Sequence, residues 1–204
     1  MILIGIDDTD NKESRGTGFR SRQLGSLIEE KGLGIVKSIS RHQLFFDKRI
    51  PYTSQNSSAC LLVDGTDLQA LIQLSESFLK RVSAIGSDAG LAASKIELIN
   101  EEVVRWGNRA KEEVLTQAEA RTIAESSNVF LEGYTGNKDG IIGALAALGL
   151  RKEANDGRCV WIEGFDIREL RGVYRVKDLF NTLNIDCIID TNGNALKETE
   201  KIHV

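Results

Sequence analysis

The sequence predicts an α/β (α+β) protein, a two-layer sandwich whose mixed sheet is packed by helices, and three observations predict it. The chain opens with a short apolar run, Ile2-Leu3-Ile4-Gly5-Ile6, that stops at Asp7-Asp8-Thr9-Asp10. A run this short and apolar reads as a buried strand. Strand-like and helix-like stretches then follow in the order β-α-β-β-α as far as residue 82, which suits packed layers of sheet and helix. Finally, Gly140 to Leu150 holds only glycine, alanine, leucine and isoleucine. A helix apolar nearly all round is a buried one.

The elements follow in order. Phe19 to Lys31 places Phe19, Leu24, Leu27 and Ile28 at near-helical spacing, and Gly32 and Gly34 stop the helix. Gly34 to Ile39 reads as a strand, and Leu44-Phe45-Phe46 as extended. A polar loop from Ile50 through Ser58 leads into Ala59-Cys60-Leu61-Leu62-Val63, a strand by composition. Asp67 to Val82 is an amphipathic helix with Leu68, Leu71, Ile72, Phe78 and Leu79 on one side. Gly86 to Gly90 is a turn. Glu101 to Ser126 is charged and helical, broken into two helices near Thr116. The buried helix that begins at Gly140 is expected to be capped by Gly149. Arg158 to Ile162 reads as a strand, Val173 to Leu183 as a helix and Ile185 to Asp190 as a last strand; Glu198 to Val204 is expected to be a mobile tail. Residues 1-150 are expected to form one domain. Residues 151-204 are expected to complete its sheet or to form a small ferredoxin-like appendage.

Composition excludes several classes of function. With 204 residues, 41% hydrophobic and 27% charged, the chain can bury a core without disulfides. Its three cysteines, Cys60, Cys159 and Cys187, are too few and scattered for a disulfide frame or zinc ribbon and are expected to be small core residues. Two histidines cannot build a His-rich metal site. No stretch approaches a membrane span and no signal peptide is visible, so a cytoplasmic location without membrane contact is expected. A net charge of −4 argues against broad nucleic-acid binding. Lys48-Arg49 and Arg168, Arg171, Arg175 and Lys177 read as solvated faces.

The chemistry concentrates at two places. Asp7, Asp8 and Asp10 project from the end of the first strand, where ligands sit in open α/β sheets. Three carboxylates in four residues repel one another unless a cation neutralises them, and hard oxygen ligands suit Mg²⁺, which combines one or two carboxylates with substrate phosphates. Gly16-Thr17-Gly18 follows as a loop rich in backbone N–H groups. The second place is the glycine-rich loop from Gly133 through Gly136, Asn137 and Lys138 to Gly140 and Gly143. A buried helix start needs partners for its free N–H groups, and a phosphate is a favourable one; close packing of Gly140 and Gly143 against the sheet is the equally weighted alternative.

Other templates fail. Lys138 is neither preceded by glycine nor followed by a hydroxyl, so there is no P-loop. Ser21 replaces the last glycine of G-x-G-x-x-G, and Lys12 replaces the threonine of a D-x-D-x-T phosphatase starting at Asp8. A Ser-His-acid triad would need His42 or His203, and no G-x-S-x-G exists. Phosphoryl transfer, which is mostly positioning and charge neutralisation, can be assembled from the parts that remain.

Ile4-Gly5-Ile6-Asp7-Asp8-Thr9-Asp10 resembles the opening of the archaeal tRNA agmatidine synthetases, which use ATP to join agmatine to the wobble cytidine of an isoleucine tRNA. Ile50-Pro51-Tyr52 with the following loop and Ala59 is similar to that family's IPW-K-T-R-G-N-G-A segment, Ser87-Asp88-Ala89-Gly90 to its D-P-G turn, and Gly140 to Ala147 to its GliGALAA segment. The resemblance covers residues 1 to 150 in four islands. It implies an ATP-dependent kinase-like module related to the N-terminal domain of those enzymes, standing alone. Asp7, Asp8 and Asp10 would hold Mg²⁺ and phosphates, and Thr17 would take the place of a phosphate-accepting threonine. Gly16, Gly18, Ser57, Asp88, Gly136, Asn137, Lys138, Gly140 and Gly143 would lie along the nucleotide. Thr53 to Ser58 replaces the family's K-T-R-G-N-G, and neither a zinc ribbon nor an oligonucleotide-binding barrel fits, so tRNA binding is not expected.

The expected function is therefore Mg–ATP-dependent phosphoryl or nucleotidyl transfer to a small-molecule acceptor, with Arg20, Lys138 or Arg41 available to neutralise charge. The alternatives are a non-catalytic nucleotide-binding or complex-forming module, and a hydrolase using Asp8 as nucleophile.

Overall fold

The computed structural model describes residues 1–204 apart from Ser54, Asn184, Asp186, Thr191 and the side chain of Arg168. The chain packs as two units, Met1–Glu163 and Gly164–Val204. In the first, β1 (Ile2–Asp7), α1 (Thr17–Glu30), β2 (Ile35–Gln43), β3 (Ser57–Asp64), α2 (Leu68–Val82) and β4 (Gly90–Lys95) follow in sequence. They pair in the order β4-β1-β3-β2. This β-α-β-β-α-β arrangement is the split-βαβ, ferredoxin-like motif. It lies at the front of the chain rather than in the C-terminal segment where it was expected.

Five more elements enlarge it: α3 (Glu101–Arg109), α4 (Gln117–Ser126), β5 (Phe130–Gly133), α5 (Gly140–Glu153) and β6 (Arg158–Ile162). β5 joins the sheet beside β4 and β6 beside β2, giving the order β5-β4-β1-β3-β2-β6. β6 comes from the segment after residue 150 that was expected either to complete the sheet or to form an appendage, and the first unit runs to Glu163. Every described ladder of the sheet is antiparallel, where a mixed sheet was expected: the strands joined by α1, and those joined by α2, are each separated by one intervening strand.

The α/β class and the helix-packed sheet are as the sequence predicts, but the layers number three. Ile2, Ile4 and Ile6 of β1 pack with Leu24 and Ile28 of α1 and Leu71, Phe78 and Leu79 of α2. Leu3, Cys60 and Ala92 point the other way, against Val103 and Trp106 of α3 and Ala144 to Leu148 of α5. A strand apolar on both faces must be covered on both. α5 crosses β1 at Gly5, where a Cβ would stand 2.2 Å from the Ala144 carbonyl oxygen. Gly149, expected to cap α5, lies inside it. A Cβ there would meet the Val103 carbonyl oxygen at 2.1 Å, so this glycine lets α3 and α5 touch. The helix ends instead at Ala154, in the left-handed region with φ 62°.

The second unit contains β7 (Val173–Arg175), α6 (Val176–Leu183) and β8 (Lys201–His203). β7 and β8 pair antiparallel, so the helix expected from Val173 starts three residues later and the tail expected to be mobile carries a strand. Two strands and one helix among the described residues do not make a ferredoxin-like unit. The strand expected over Ile185 to Asp190 includes a residue outside the described ones; Ile189 bridges Ala195. Of the basic positions read as a solvated face, the Arg168 side chain also lies outside them. Among the described residues, no helix is long and apolar enough to cross a membrane.

Candidate ligand cleft at the carboxyl end of β1

The antiparallel ladders bring the carboxyl ends of β1 and β2 and the amino ends of β3, β4 and β6 to one edge of the sheet. α1 and α5 also begin there. Between them opens a cleft of about 160 Å³. Seven predicted site residues line it: Asp7, Asp8, Asp10, Thr17, Ser57, Gly140 and Gly143. Leu44, Ile50, Pro51, Val114, Leu115 and Ile142 supply an apolar wall.

Asp7 is the last residue of β1 and only 9% exposed. Burial, then the Asp8 charge, push its carboxyl up to about 8; a hydrogen bond from the Asp8 N–H opposes this, and the Asp10 charge adds to the rise. Its Oδ2 lies over α5, only 1.8 Å from where a Cβ at Gly143 would stand. Asp8 has left the strand, with φ 48°, an arrangement that Asp tolerates better than most residues. Its carboxyl is raised to about 7, first by burial and then by Asp88, Asp10 and Asp139, against a bond from the Asp88 N–H.

Asp10 does different work. Its Oδ1 accepts from the N–H and the hydroxyl of Thr17, both at 3.0 Å, and its Oδ2 accepts from the Thr53 hydroxyl at 2.8 Å. Asp10 thus holds the amino end of α1, and the buried Thr9 hydroxyl packs 3.1 Å from that of Thr17. The Gly16-Thr17-Gly18 segment opens this helix; Gly16 and Gly18 are not among the lining residues.

The start of α5 is already partnered. The Gly140 N–H donates to the Asp88 carbonyl at 2.8 Å, and the carboxylate of Asp88 accepts from the Asn137 N–H. Gly136, at φ 49°, lies against the same carboxylate. Lys138 turns away to Glu132, 3.5 Å off. Asp88, Gly136, Asn137 and Lys138 therefore build the turn behind α5 and do not line the cleft. Nor do two of the expected cations. Arg20 donates to Gln23 and stacks near Phe19; Arg41 donates to the Ser57 hydroxyl at 2.9 Å.

Sequence reasoning missed Arg49, Glu113 and Asp139 as lining residues. Arg49 was read as a solvated face; its guanidinium clasps Asp47 through Nε at 2.8 Å and Nη2 at 2.9 Å. No spacing signal connects Glu113 to the Asp cluster, because only the packing of α3 on α5 brings it near. Cys159 and Cys187 are exposed; Cys60 alone is in the core. A Ser-His-acid line does exist, with Ser40 Oγ 2.8 Å from His42 Nε2 and His42 Nδ1 2.9 Å from Asp156 Oδ1. His42 is fully buried, and Ser40 is not among the residues lining the cleft, so this line ties β2 to the segment before β6.

A buried carboxylate and a half-buried one, both pushed towards neutrality, are the condition that a divalent cation relieves. Among the described residues no three His, Cys, Asp or Glu gather closely enough to hold a metal by themselves. With Asp10 engaged by Thr17 and Thr53, Asp7 and Asp8 are the carboxylates that could hold a cation, whose remaining ligands would come from phosphate or water, as Mg²⁺ prefers.

No known protein-family profile matches the chain. It is 29% identical over 152 residues to an uncharacterised protein of Methanocaldococcus jannaschii, covering 73% of this chain and 49% of that one. It is 29% identical over 199 residues to the tRNA(Ile2) 2-agmatinylcytidine synthetase TiaS of Cenarchaeum symbiosum, covering 89% of this chain and 43% of that one. The matched region thus spans about half or less of these relatives. Among solved structures, apo TiaS superposes with a TM-score of 0.63 at 22% identity, over 72% of this chain and 35% of that one. The TiaS–tRNA(Ile2)–ATP complex gives 0.65 at 23%, over 72% and 36%, and the TiaS–tRNA(Ile2)–AMPCPP–agmatine complex 0.63 at 22%, over the same shares. In sequence and in fold, the chain is a relative of the tRNA(Ile2) agmatidine synthetases.

Proposed function

We propose that the cleft binds Mg–ATP and that the chain transfers a phosphoryl or nucleotidyl group to a small-molecule acceptor. The observation that carries this reading is the pair Asp7, buried, and Asp8, half-buried, at the mouth of a cleft framed by the starts of α1 and α5. The complexes of TiaS with ATP, AMPCPP and agmatine lend it support. Asp7 and Asp8 would hold the cation, which supplies charge neutralisation for the phosphates. Asp10 fixes Thr17 and the amino end of α1. Leu44, Ile50, Pro51, Val114 and Leu115 give the cleft an apolar wall, and an apolar wall strengthens the charge interactions beside it.

The test is ATP turnover and thermal stability, measured with and without Mg²⁺. Mg–ATP should raise the melting temperature by mass action. Asp7→Ala should abolish the rise and the turnover while leaving the circular dichroism unchanged; retained turnover would sink the assignment. One observation favours a second reading, a module that binds nucleotide without turning it over. Arg49 is the lone basic residue among those lining the cleft, and Asp47 already holds it. A Mg²⁺-dependent shift with no turnover across a panel of acceptors would establish that reading.

A further inference from the structure

A second cavity, of about 330 Å³, lies at the same edge of the sheet and is lined by Arg41, Gln43, Gln55, Asp156, Gly157 and Arg158. Arg41 of β2 and Arg158 of β6 stand directly opposite each other in the antiparallel ladder. Like charges directly opposite on neighbouring strands are destabilising, so the pairing needs a physical reason. The register itself is not the regular one. Ile39 faces Trp161 but Ser40 faces Cys159, which leaves Val160 as the extra residue of a β-bulge. Without it, Arg41 would face Cys159. Bulges re-aim side chains at functional edges, and this one sets the two arginines opposite each other in the lining of one cavity.

The local acid does not neutralise them. Asp156, the carboxylate of this cavity, is engaged by the Lys111 ammonium and by His42, and among the described residues no acid is paired with Arg158. Arg41 is held by Nε to the Ser57 hydroxyl, which leaves its terminal nitrogens for another acceptor. Gln55 adds a neutral amide to the lining, while the Gln43 amide nitrogen is already spent on the Leu44 and Asn56 carbonyls. Two planar forks, one of them pre-oriented, with the Gln55 amide beside them match the oxygens of a phosphate group.

We propose that this cavity is an oxyanion subsite that takes the phosphate group of a small phosphate ester. Gln55 lines both this cavity and the Asp7–Asp8 cleft, so a molecule seated here reaches towards the cleft. The subsite rests on the Arg41–Arg158 pair and not on the nucleotide reading.

The test is thermal shift and calorimetric titration of the full chain without Mg²⁺, with glycerol phosphate as monoester and dimethyl phosphate as the diester of a nucleic-acid backbone. The monoester should bind more tightly than the diester. Arg158→Gln should weaken it roughly tenfold or more, as expected for a lost charge-assisted fork. Arg158 is exposed, so Arg158→Gln should fold, and without phosphate it should melt no lower than the parent because a repulsion is removed. Asp7→Asn should retain the binding, which separates this site from the cleft. Absence of binding, tighter binding of the diester, or binding unchanged in both Arg158→Gln and Arg41→Gln would each overturn the proposal.

Discussion

Asp7 concentrates the electrostatics of the molecule in one side chain. Burial and the neighbouring Asp8 raise its carboxyl from 3.8 to about 8. Between roughly pH 4 and pH 8 the unfolded chain has released this proton while the folded chain still holds it. The folded state then binds more protons, so stability falls as pH rises through that window and is level outside it. Free of cations, the protein should melt higher at pH 5 than at pH 8. Asp7→Asn removes its own titration and leaves that of Asp8, so it should make the profile shallower and raise the melting temperature at pH 8, an effect on the order of a few kcal/mol. Melting curves in chelator across that range check it, and a parent protein most stable at pH 8 would refute it. Added Mg²⁺ should reverse the trend, since a bound cation favours the ionised carboxylates.

At the scale of elements, caps and glycines divide into what local sequence shows and what only packing shows. The break near Thr116 lies where the sequence places it, and its physical cause is a threonine followed three residues later by a glutamate. The structure bears it out: the Thr116 hydroxyl accepts from the Glu119 N–H at 3.3 Å and Glu119 accepts from the Thr116 N–H at 3.2 Å. Thr116→Ala should cost about 1 kcal/mol and lower the melting temperature by roughly 2–4 °C; an unchanged melting temperature would show that α4 is held by packing alone. β4 was not legible. Its run Gly90-Leu91-Ala92-Ala93-Ser94-Lys95 has no β-branched residue, and small side chains serve there because α5 lies directly on it: a Cβ at Gly90 would meet the Gly140 carbonyl carbon at 2.2 Å. Gly149 misled for the same reason. It looks like a cap in sequence and is a contact in space. The Asp cluster was legible as a site because three acids directly follow an apolar strand. The different role of Asp10 was not, because Thr17 and Thr53 reach it from seven and 43 residues away.

For the whole molecule, the question is which part of the chain the cleft requires. All six strands of the main sheet, both apolar clusters and every residue lining the cleft fall within Met1–Glu163. β1, the strand that carries Asp7 and Asp8, is central, flanked by β3 and β4, so its position depends on ladders that close inside this unit. β6 guards the outer edge of β2, and its last residue, Ile162, directly precedes the end of the unit. A chain ending at residue 150 would strip β6 and the end of α5, exposing the edge of β2 and unseating His42 from Asp156. A chain ending at Glu163 loses none of these. We therefore expect residues 1–163 alone to unfold cooperatively and to keep whatever Mg–ATP-dependent thermal shift the full chain shows, and residues 1–150 to melt markedly lower or aggregate. Circular dichroism melts of the two truncations decide the matter: if both behave alike, β6 is dispensable, and if residues 1–163 fail to fold, the cleft depends on residues 164–204.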